Sequence, residues 1–517
     1  MLKWRLAFKK NGFRPMPPET LSDLGIISLL PVALALVLSI ASRNVILGLF
    51  IGLFTGVLLV EGFSPIAALT LMVRDYLVPQ VTDSYNAGVL VLLAFIGGFV
   101  ALMEKSGGGA AFAARVMRFI TTRARLQVAA WLGGILIFFS DLGTPLIIGP
   151  TFRPLADSLR VSRAKLAYII DSTASPVAIL VPFIGWGVYI MGLLNQQIES
   201  LGVDASDYAL LLSALPFQLY AWLALAAVPL LAIVGIEFGP MRRAEDAARA
   251  GNPLQQPNDS ALEQVTLANA RPSFVWLPLV VLGVTLFWVL GPLGFPFGRV
   301  SGSDFRAGLA TAYLLAALTL VALMALNRAQ SPLRSLQVYL DGMSRMMQIA
   351  IMLLLAWAMG DMMTTLGADD FVATLVRDNV AAWILPLLIF VVSCAISFAT
   401  GSSWGTFAIM LPLAMPAAFA IDAPLAVCVG AVLSGGLFGD HCSPISETTI
   451  LSSAGAGADV FDHFQTQLPY ALANGALCVA GFVVAGLSGS VIVLPVLLSI
   501  QIIGMLILKQ RNKNTED

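Results

Sequence analysis

Apolar runs long enough to cross a bilayer recur from near residue 24 to residue 508, and no other feature of the sequence restricts the fold so strongly. They fall at roughly 24–41, 44–62, 88–104, 126–140, 166–194, 209–235, 274–296, 306–327, 346–364, 381–398, 405–437, 465–487 and 489–508. A spanning helix needs about 20 mostly apolar residues, and several runs are interrupted, so we read about eleven to thirteen spans. Hydrocarbon offers no water to backbone N–H and C=O groups, which leaves helices or a closed barrel. The alternating pattern of barrel strands is absent. The expected fold is therefore an all-α polytopic membrane protein. Composition agrees: 58% of residues are hydrophobic and 11% charged, against about 25% charged in a soluble domain.

Other bulk features narrow the function. The net charge of −1 gives no argument for nucleic acid. Cys394, Cys428, Cys442 and Cys478 lie in apolar or site segments without paired spacing, as small buried residues do. The basic start "MLKWRLAFKKNGFRP" precedes a proline-rich stretch and no small-residue cleavage site, and reads as a retained cytoplasmic tail. The longest polar stretch, 237–272, is too short for an ATPase domain, and no Lys follows a Gly as a phosphate-binding loop requires. A pump built on this chain would draw on an ion gradient.

The sequence also contains itself twice. "SDLGTPLIIGP" (140–150) matches "SSWGTFAIMLP" (402–412), with Gly143, Thr144 and Pro150 equivalent to Gly405, Thr406 and Pro412 at one constant offset. "DSTASP" (171–176) matches "DHCSP" (440–444), and "LMEKSGGGAAFAARVMR" resembles "MTTLGADDFVATLVR" upstream. Equivalent loops differ in charge. Segment 105–127 carries five Lys/Arg and no acid, whereas 365–387 carries Asp369, Asp370 and Asp378 against Arg377. Segment 151–165 has Arg153, Arg160, Arg163 and Lys165; its counterpart 413–427 has no base. Lys and Arg stay cytoplasmic, so the repeats should have inverted topology, a common build of secondary transporters. The expected organisation is a cytoplasmic tail 1–23, an extra span 24–43, a first repeat 44–236, a cytoplasmic linker 237–273, a second repeat 274–508 and a cytoplasmic tail 509–517. Both termini would be cytoplasmic in a cell (inner) membrane.

The chemistry concentrates at two interruptions. Asp171 is followed by Ser172, Thr173, Ser175 and Pro176; Asp440 is followed by Ser443 and Pro444. Proline removes a donor and frees carbonyls of the preceding turn, and unwound backbone at membrane depth is tolerated where it lines a cavity or is buried in protein. Carbonyls, hydroxyls and a carboxylate together suit a small hard cation or a proton. The bland alternative is a pair of packing kinks, but kinks alone do not need adjacent acids. An Asp at the bilayer centre costs roughly 2.5–3.5 kcal/mol on insertion scales, which marks Asp171 and Asp440 as functional. Glu447 lies past the second break among Ser446, Thr448 and Thr449. Asp141 precedes the first Gly-Thr, where Ser403 stands in the second repeat; it is read as a ligand or as an interfacial helix cap. Such a difference is expected if each half supplies a different ligand. His441 is a candidate pH sensor or a hydrogen-bonded polar residue. His441-Cys442 has no further His or Cys at ligand spacing, so no metal centre of that kind is expected. Glu61, Glu104 and Asp361 read as interfacial charges, and Trp186 and Trp404 as packing residues.

The stretches "GDHCSPISETTILSSAGAGADVFDHFQTQLPYAL" and "RPLADSLRVSRAKLAYIIDSTASPVAILVPFIGWG" resemble the NhaC family of sodium/proton antiporters. The resemblance implies an inner-membrane protein exporting Na⁺ against entering H⁺, with no cofactor beyond the transported ions. More distantly it implies a superfamily of paired hairpin-bearing repeats, an elevator motion and a homodimer. By that analogy Ser172, Thr173 and Ser175 on one side and Ser443, Ser446 and Thr448 on the other would line the site. Relatives of this kind also imply a second reading: Na⁺- or H⁺-coupled transport of a small carboxylate or amino acid. The absence of Arg or Lys in the presumed site counts against an anionic solute. An intramembrane aspartyl protease using Asp171 and Asp440 is a poorer fit, since "GLFGD" lacks the G-x-G-D spacing, and a passive channel would need no exchange.

Overall fold

The structure, a computed structural model, describes residues 24–61, 64–116, 120–251, 267–296 and 300–514. The whole N-terminal tail 1–23, linker residues 252–266 and the last three residues lie outside these, as do 62–63, 117–119 and 297–299. Among the described residues every regular element is a helix. Among the described residues eight helices are long and apolar enough to cross a membrane, or up to ten if two bent pairs each form one span. One such pair, Asp207–Phe217 and Leu219–Val234, bends by 49°. This is an integral, multi-pass membrane protein.

Where the apolar runs differ from the helices, polar residues explain the cuts. The run 126–140 yields only Arg123–Leu136, because the polar pair Ser140-Asp141 follows. The run 166–194 is cut after Asp171 and again before Gly185. The run 405–437 is cut at 421–424, where Asp422 takes a left-handed φ of 52° and Pro424 follows. Proline disfavours a helical conformation in the residue before it.

The first half contributes α1 (Gly143–Ser158), α2 (Arg163–Asp171), α3 (Ser175–Ala178), α4 (Gly185–Leu201) and α5 (Leu219–Val234). The amphipathic α6 (Gly239–Arg249) follows in the linker. The second half contributes α7 (Met347–Thr365), α8 (Ser403–Ala420), α9 (Leu425–His441), α10 (Glu447–Ala456) and α11 (Val460–Ser488). Side-chain caps fix several starts. Ser162 accepts from Lys165 N at 3.1 Å, Ser402 from Gly405 N at 3.2 Å, and Asp459 from Phe461 N and Asp462 N at 2.8 and 3.1 Å. Each satisfies a helical N–H that otherwise lacks a partner. Equivalent helices share their irregularities: α1 carries Pro150 and Pro154 inside it, and α8 carries Pro412 and Pro416.

The halves are interleaved. α10 packs on α1 and α2, α11 on α2 and α5, and α3 reaches α9. α9 is buried along almost its whole length. The α1–α10 crossing is a backbone contact: a Cβ on Gly149 would lie 2.4 Å from the Gly455 carbonyl carbon, and one on Gly455 would lie 2.5 Å from the Pro145 carbonyl oxygen. Small residues at a crossing let membrane helices approach this closely. Gly149→Val and Gly455→Val should therefore each destabilise by about 1–3 kcal/mol through overpacking. A melting temperature measured in detergent should fall in both and stay unchanged in Gly504→Val, where a side chain meets nothing within 4 Å.

Candidate functional site

α2 stops at Asp171, residues 172–174 turn, and α3 restarts at Ser175 with Pro176 in its first turn. α9 runs one residue past Asp440 to His441, and α10 starts at Glu447. Both breaks leave a carboxylate in the interior: Asp171 is 1% exposed and Asp440 4%. A buried carboxylate needs donors, and each break brings them in.

Asp440 is ringed by serines from three segments. Ser446 donates to Oδ1 at 2.6 Å, and Ser403 and Ser175 donate to Oδ2 at 3.3 and 3.4 Å. Thr448 stands behind Ser446 with 3.0 Å between the hydroxyls. Because the one Ser446 proton points to the carboxylate, Thr448 is the donor in that pair. The ring draws Ser175 from the first half and the other two serines from the second.

Asp171 takes its donors from the second half alone. Gln467 Nε2 donates to Oδ2 at 2.7 Å and Thr449 at 3.3 Å, while Ser452 donates to Oδ1 at 3.3 Å. The Gln467 amide also donates to the His441 carbonyl, and its Oε1 lies 2.9 Å from His463 Nε2. An amide oxygen only accepts, so His463 carries a proton on Nε2. Two imidazoles flank Asp171 Oδ2, with His441 Nε2 at 3.9 Å and His463 Nε2 at 4.0 Å. His441 is held by the Tyr220 hydroxyl at 2.8 Å and by Ser172 at 3.2 Å. Among the described residues neither aspartate forms an ion pair with Lys or Arg.

Both cationic side chains on α2 are engaged elsewhere, Arg163 with Asp157 at 3.2 Å. Lys165, fully buried, lies 2.8 Å from Glu237 Oε1 and over the rings of Tyr168 and Tyr470 at 5.1 and 5.5 Å. Tyr470 donates to Glu237 Oε2 at 2.5 Å. Beside it Glu245 of α6 accepts from Ser162 N at 2.7 Å and pairs with Arg123.

A sequence model of the Na⁺/H⁺ antiporter family matches residues 177–487, well over half of the chain. The chain belongs to the Na⁺/H⁺ antiporter family. An uncharacterized protein of Haemophilus influenzae is 30% identical over 486 residues, 90% of this chain and 91% of that one. The malate-2H⁺/Na⁺-lactate antiporter of Bacillus subtilis is 39% identical over 83 residues, 16% of this chain and 18% of that one. The solved MtrF of Neisseria gonorrhoeae, of a class described as antimetabolite efflux pumps, shares the fold with a TM-score of 0.51. Its identity is 15% over 91% of this chain and 98% of that one. The resemblance to the NhaC family seen in the sequence is thus shown, and the chain is a secondary transporter of antiporter type.

The antiporter brings together Asp440, Ser175, Ser403, Ser446 and Thr448, and separately Asp171, Ser172 and His441. Other candidates stand apart. Thr173 donates to the Ile169 carbonyl at 2.9 Å beside the first break, and Ser443 to the Phe398 carbonyl at 2.8 Å in the last turn of the helix Leu385–Thr400, so both hydroxyls are spent on backbone at helix ends. Asp141 accepts from Leu142 N at 3.0 Å and from Trp186 Nε1 at 3.1 Å. Trp186 in turn packs on Trp404 with ring centroids 4.9 Å apart. Glu447 is exposed at the start of α10 and bonds to neither aspartate.

Sequence reasoning missed Gln467, His463, Ser452 and Tyr220 as site residues. A signal existed for two of them: His463 and Gln467 are four residues apart on one face of a helix that is long and apolar enough to cross a membrane. The ion pair yields a prediction. Removing one partner of a buried pair costs about 3–5 kcal/mol, whereas replacing both with apolar groups is often neutral. Lys165→Met and Glu237→Leu should each lower the melting temperature sharply, and the double variant should recover most of the loss.

Proposed function

We propose that the protein exchanges Na⁺ for H⁺ across the cell membrane, exporting Na⁺ by alternating access. One observation carries this reading: two buried carboxylates at matched helix breaks, surrounded by hydroxyl and amide groups and, among the described residues, paired with no Lys or Arg. A carboxylate so placed is neutralised either by a proton or by a small cation. The hydroxyls serve both states, because each can turn its proton away and present a lone pair. Na⁺ is a hard ion, and the Asp440 ring offers only oxygen. Binding of one species requires departure of the other, which is the essence of exchange.

The two halves would be inverted repeats, as their loop charges suggest, with both termini cytoplasmic and two copies forming a homodimer. Movement of one half against the other would turn the aspartates from one face to the other. The family assignment and the absence of a basic ligand support ion exchange over carriage of an organic anion. The similarity to the malate-2H⁺/Na⁺-lactate antiporter favours a second reading, in which a small carboxylate travels with the ions. That solute would need Na⁺ itself, or a helix N-terminus, as its counter-charge.

Protein reconstituted in liposomes with an internal pH dye separates the two. Under an imposed pH gradient, Na⁺ alone should collapse the gradient in wild type and fail to do so in Asp440→Asn. A response to a carboxylate or amino acid, with none to Na⁺ alone, would replace the first reading by the second.

A further inference from the structure

A second polar site lies away from the two aspartates, where α4, α7 and α8 meet. A small cleft is lined by Gln196, Gln197, Ser200, Asp361, Thr364 and Asp369, among others. The sequence alone marks Asp361 as an interfacial charge, yet its carboxylate is organised. Oδ1 accepts from Gln196 Nε2 at 3.0 Å and Oδ2 accepts from Gln80, whose own oxygen accepts from Asn86 at 3.1 Å. Thr364 donates to Asp369 Oδ2 at 2.8 Å, and among the described residues none donates to Oδ1. Among the described residues no Lys or Arg pairs with either carboxylate.

The amides around these acids are incompletely satisfied. Gln196 Oε1 is buried and receives no donor. Gln197 is only 5% exposed, lines the same cleft, and its side-chain amide makes no hydrogen bond with any described residue. Native structures pair most buried polar groups, so an orphan amide at a cleft wall points to a ligand. The acceptors left over are oxygens of two carboxylates and two amides, a hard and negative set.

The place of the cleft gives it a purpose. Pro412 of α8 lines it and lies nine residues beyond Ser403, which bonds Asp440. Gln196 lies ten residues beyond Trp186, which bonds Asp141. At 1.5 Å per residue the cleft is about 14–15 Å along both helices from the acids. That is about half the ~30 Å hydrocarbon thickness.

From these observations we infer that the Asp361–Asp369 cleft is a second cation site, binding Na⁺ at one membrane face as it enters or leaves the buried aspartates. The inference rests on the Na⁺ reading above for the identity of the ion. A cleft bearing net negative charge raises the local cation concentration and the on-rate, and the effect fades as salt screens it.

Two measurements on the purified full-length protein test this. The first is equilibrium binding of radiolabelled Na⁺ at low ionic strength. Asp440→Asn should retain one class of bound Na⁺, which Asp440→Asn/Asp361→Asn/Asp369→Asn should lose. The second is transport in liposomes. Asp361→Asn and Asp369→Asn should raise the KM for Na⁺ about tenfold with kcat unchanged, and about 0.5 M choline chloride should erase the difference. Gln197→Leu should also raise KM while the melting temperature holds or rises, since its amide has no protein partner to lose. Unchanged KM in all three variants, a fall in kcat alone, or no residual Na⁺ binding in Asp440→Asn would overturn the site. Residual binding in Asp440→Asn together with a wild type that moves no Na⁺ would leave this site standing and refute Na⁺/H⁺ exchange instead.

Discussion

A carboxylate held among apolar helices has to be given hydrogen-bond donors by the protein, because lipid supplies none. An unbroken helix cannot provide them, since its own N–H groups are already used. At Asp171 and Asp440 the helix stops, and the turn that follows opens room for side chains of other segments. Asp440 then collects Ser175, Ser403 and Ser446, and Asp171 collects Thr449, Ser452 and Gln467. When the carboxylates are ionised, each of these contacts is a hydrogen bond to a charged group, a class about twice as strong as neutral ones. Most of them join segments distant in the chain, so the acids organise the centre of the molecule as well as its chemistry.

The same contacts tie binding to movement. Ser175 belongs to the first half and Asp440 to the second, while the donors of Asp171 cross in the opposite direction. Neutralising either acid, by proton or cation, changes the strength of bonds that hold the halves together. A ligand shifts a conformational equilibrium only through such differential interactions. On one side of the acids, the linker adds a separate attachment: Glu237 binds Lys165, and Glu245 holds Ser162 N at the start of the helix that ends in Asp171. α2 is thereby fixed at its first turn and left free of its own helix continuation at its last.

The breaks were legible in the sequence because Pro176 and Pro444, with their acids and hydroxyls, are local signals. The matched prolines of α1 and α8 were legible for the same reason. The roles of individual hydroxyls were not. Thr173 and Ser443 look like ligands in a string, but a hydroxyl beside a helix-end carbonyl can bond to backbone instead, and only packing decides. Ser175 and Thr173 are two residues apart and serve opposite purposes. Gln467, His463 and Tyr220 sit on helices whose approach to Asp171 and His441 depends on the whole bundle. Span counts suffered from a related limit: hydropathy extends through 166–194 although Asp171 and the following turn cut the helix there. Asp361 looked interfacial because Gln80 and Gln196 lie far from it in sequence.

The central claim is that one buried carboxylate, Asp440, is held alternately by a proton and by Na⁺. The most direct test is to add Na⁺ to purified protein in weakly buffered detergent solution and record the protons released. The account predicts release in wild type, greatest near the pH at which Asp440 is half protonated, and none in Asp440→Asn. Na⁺ binding without proton release, or equal release from the variant, would contradict it.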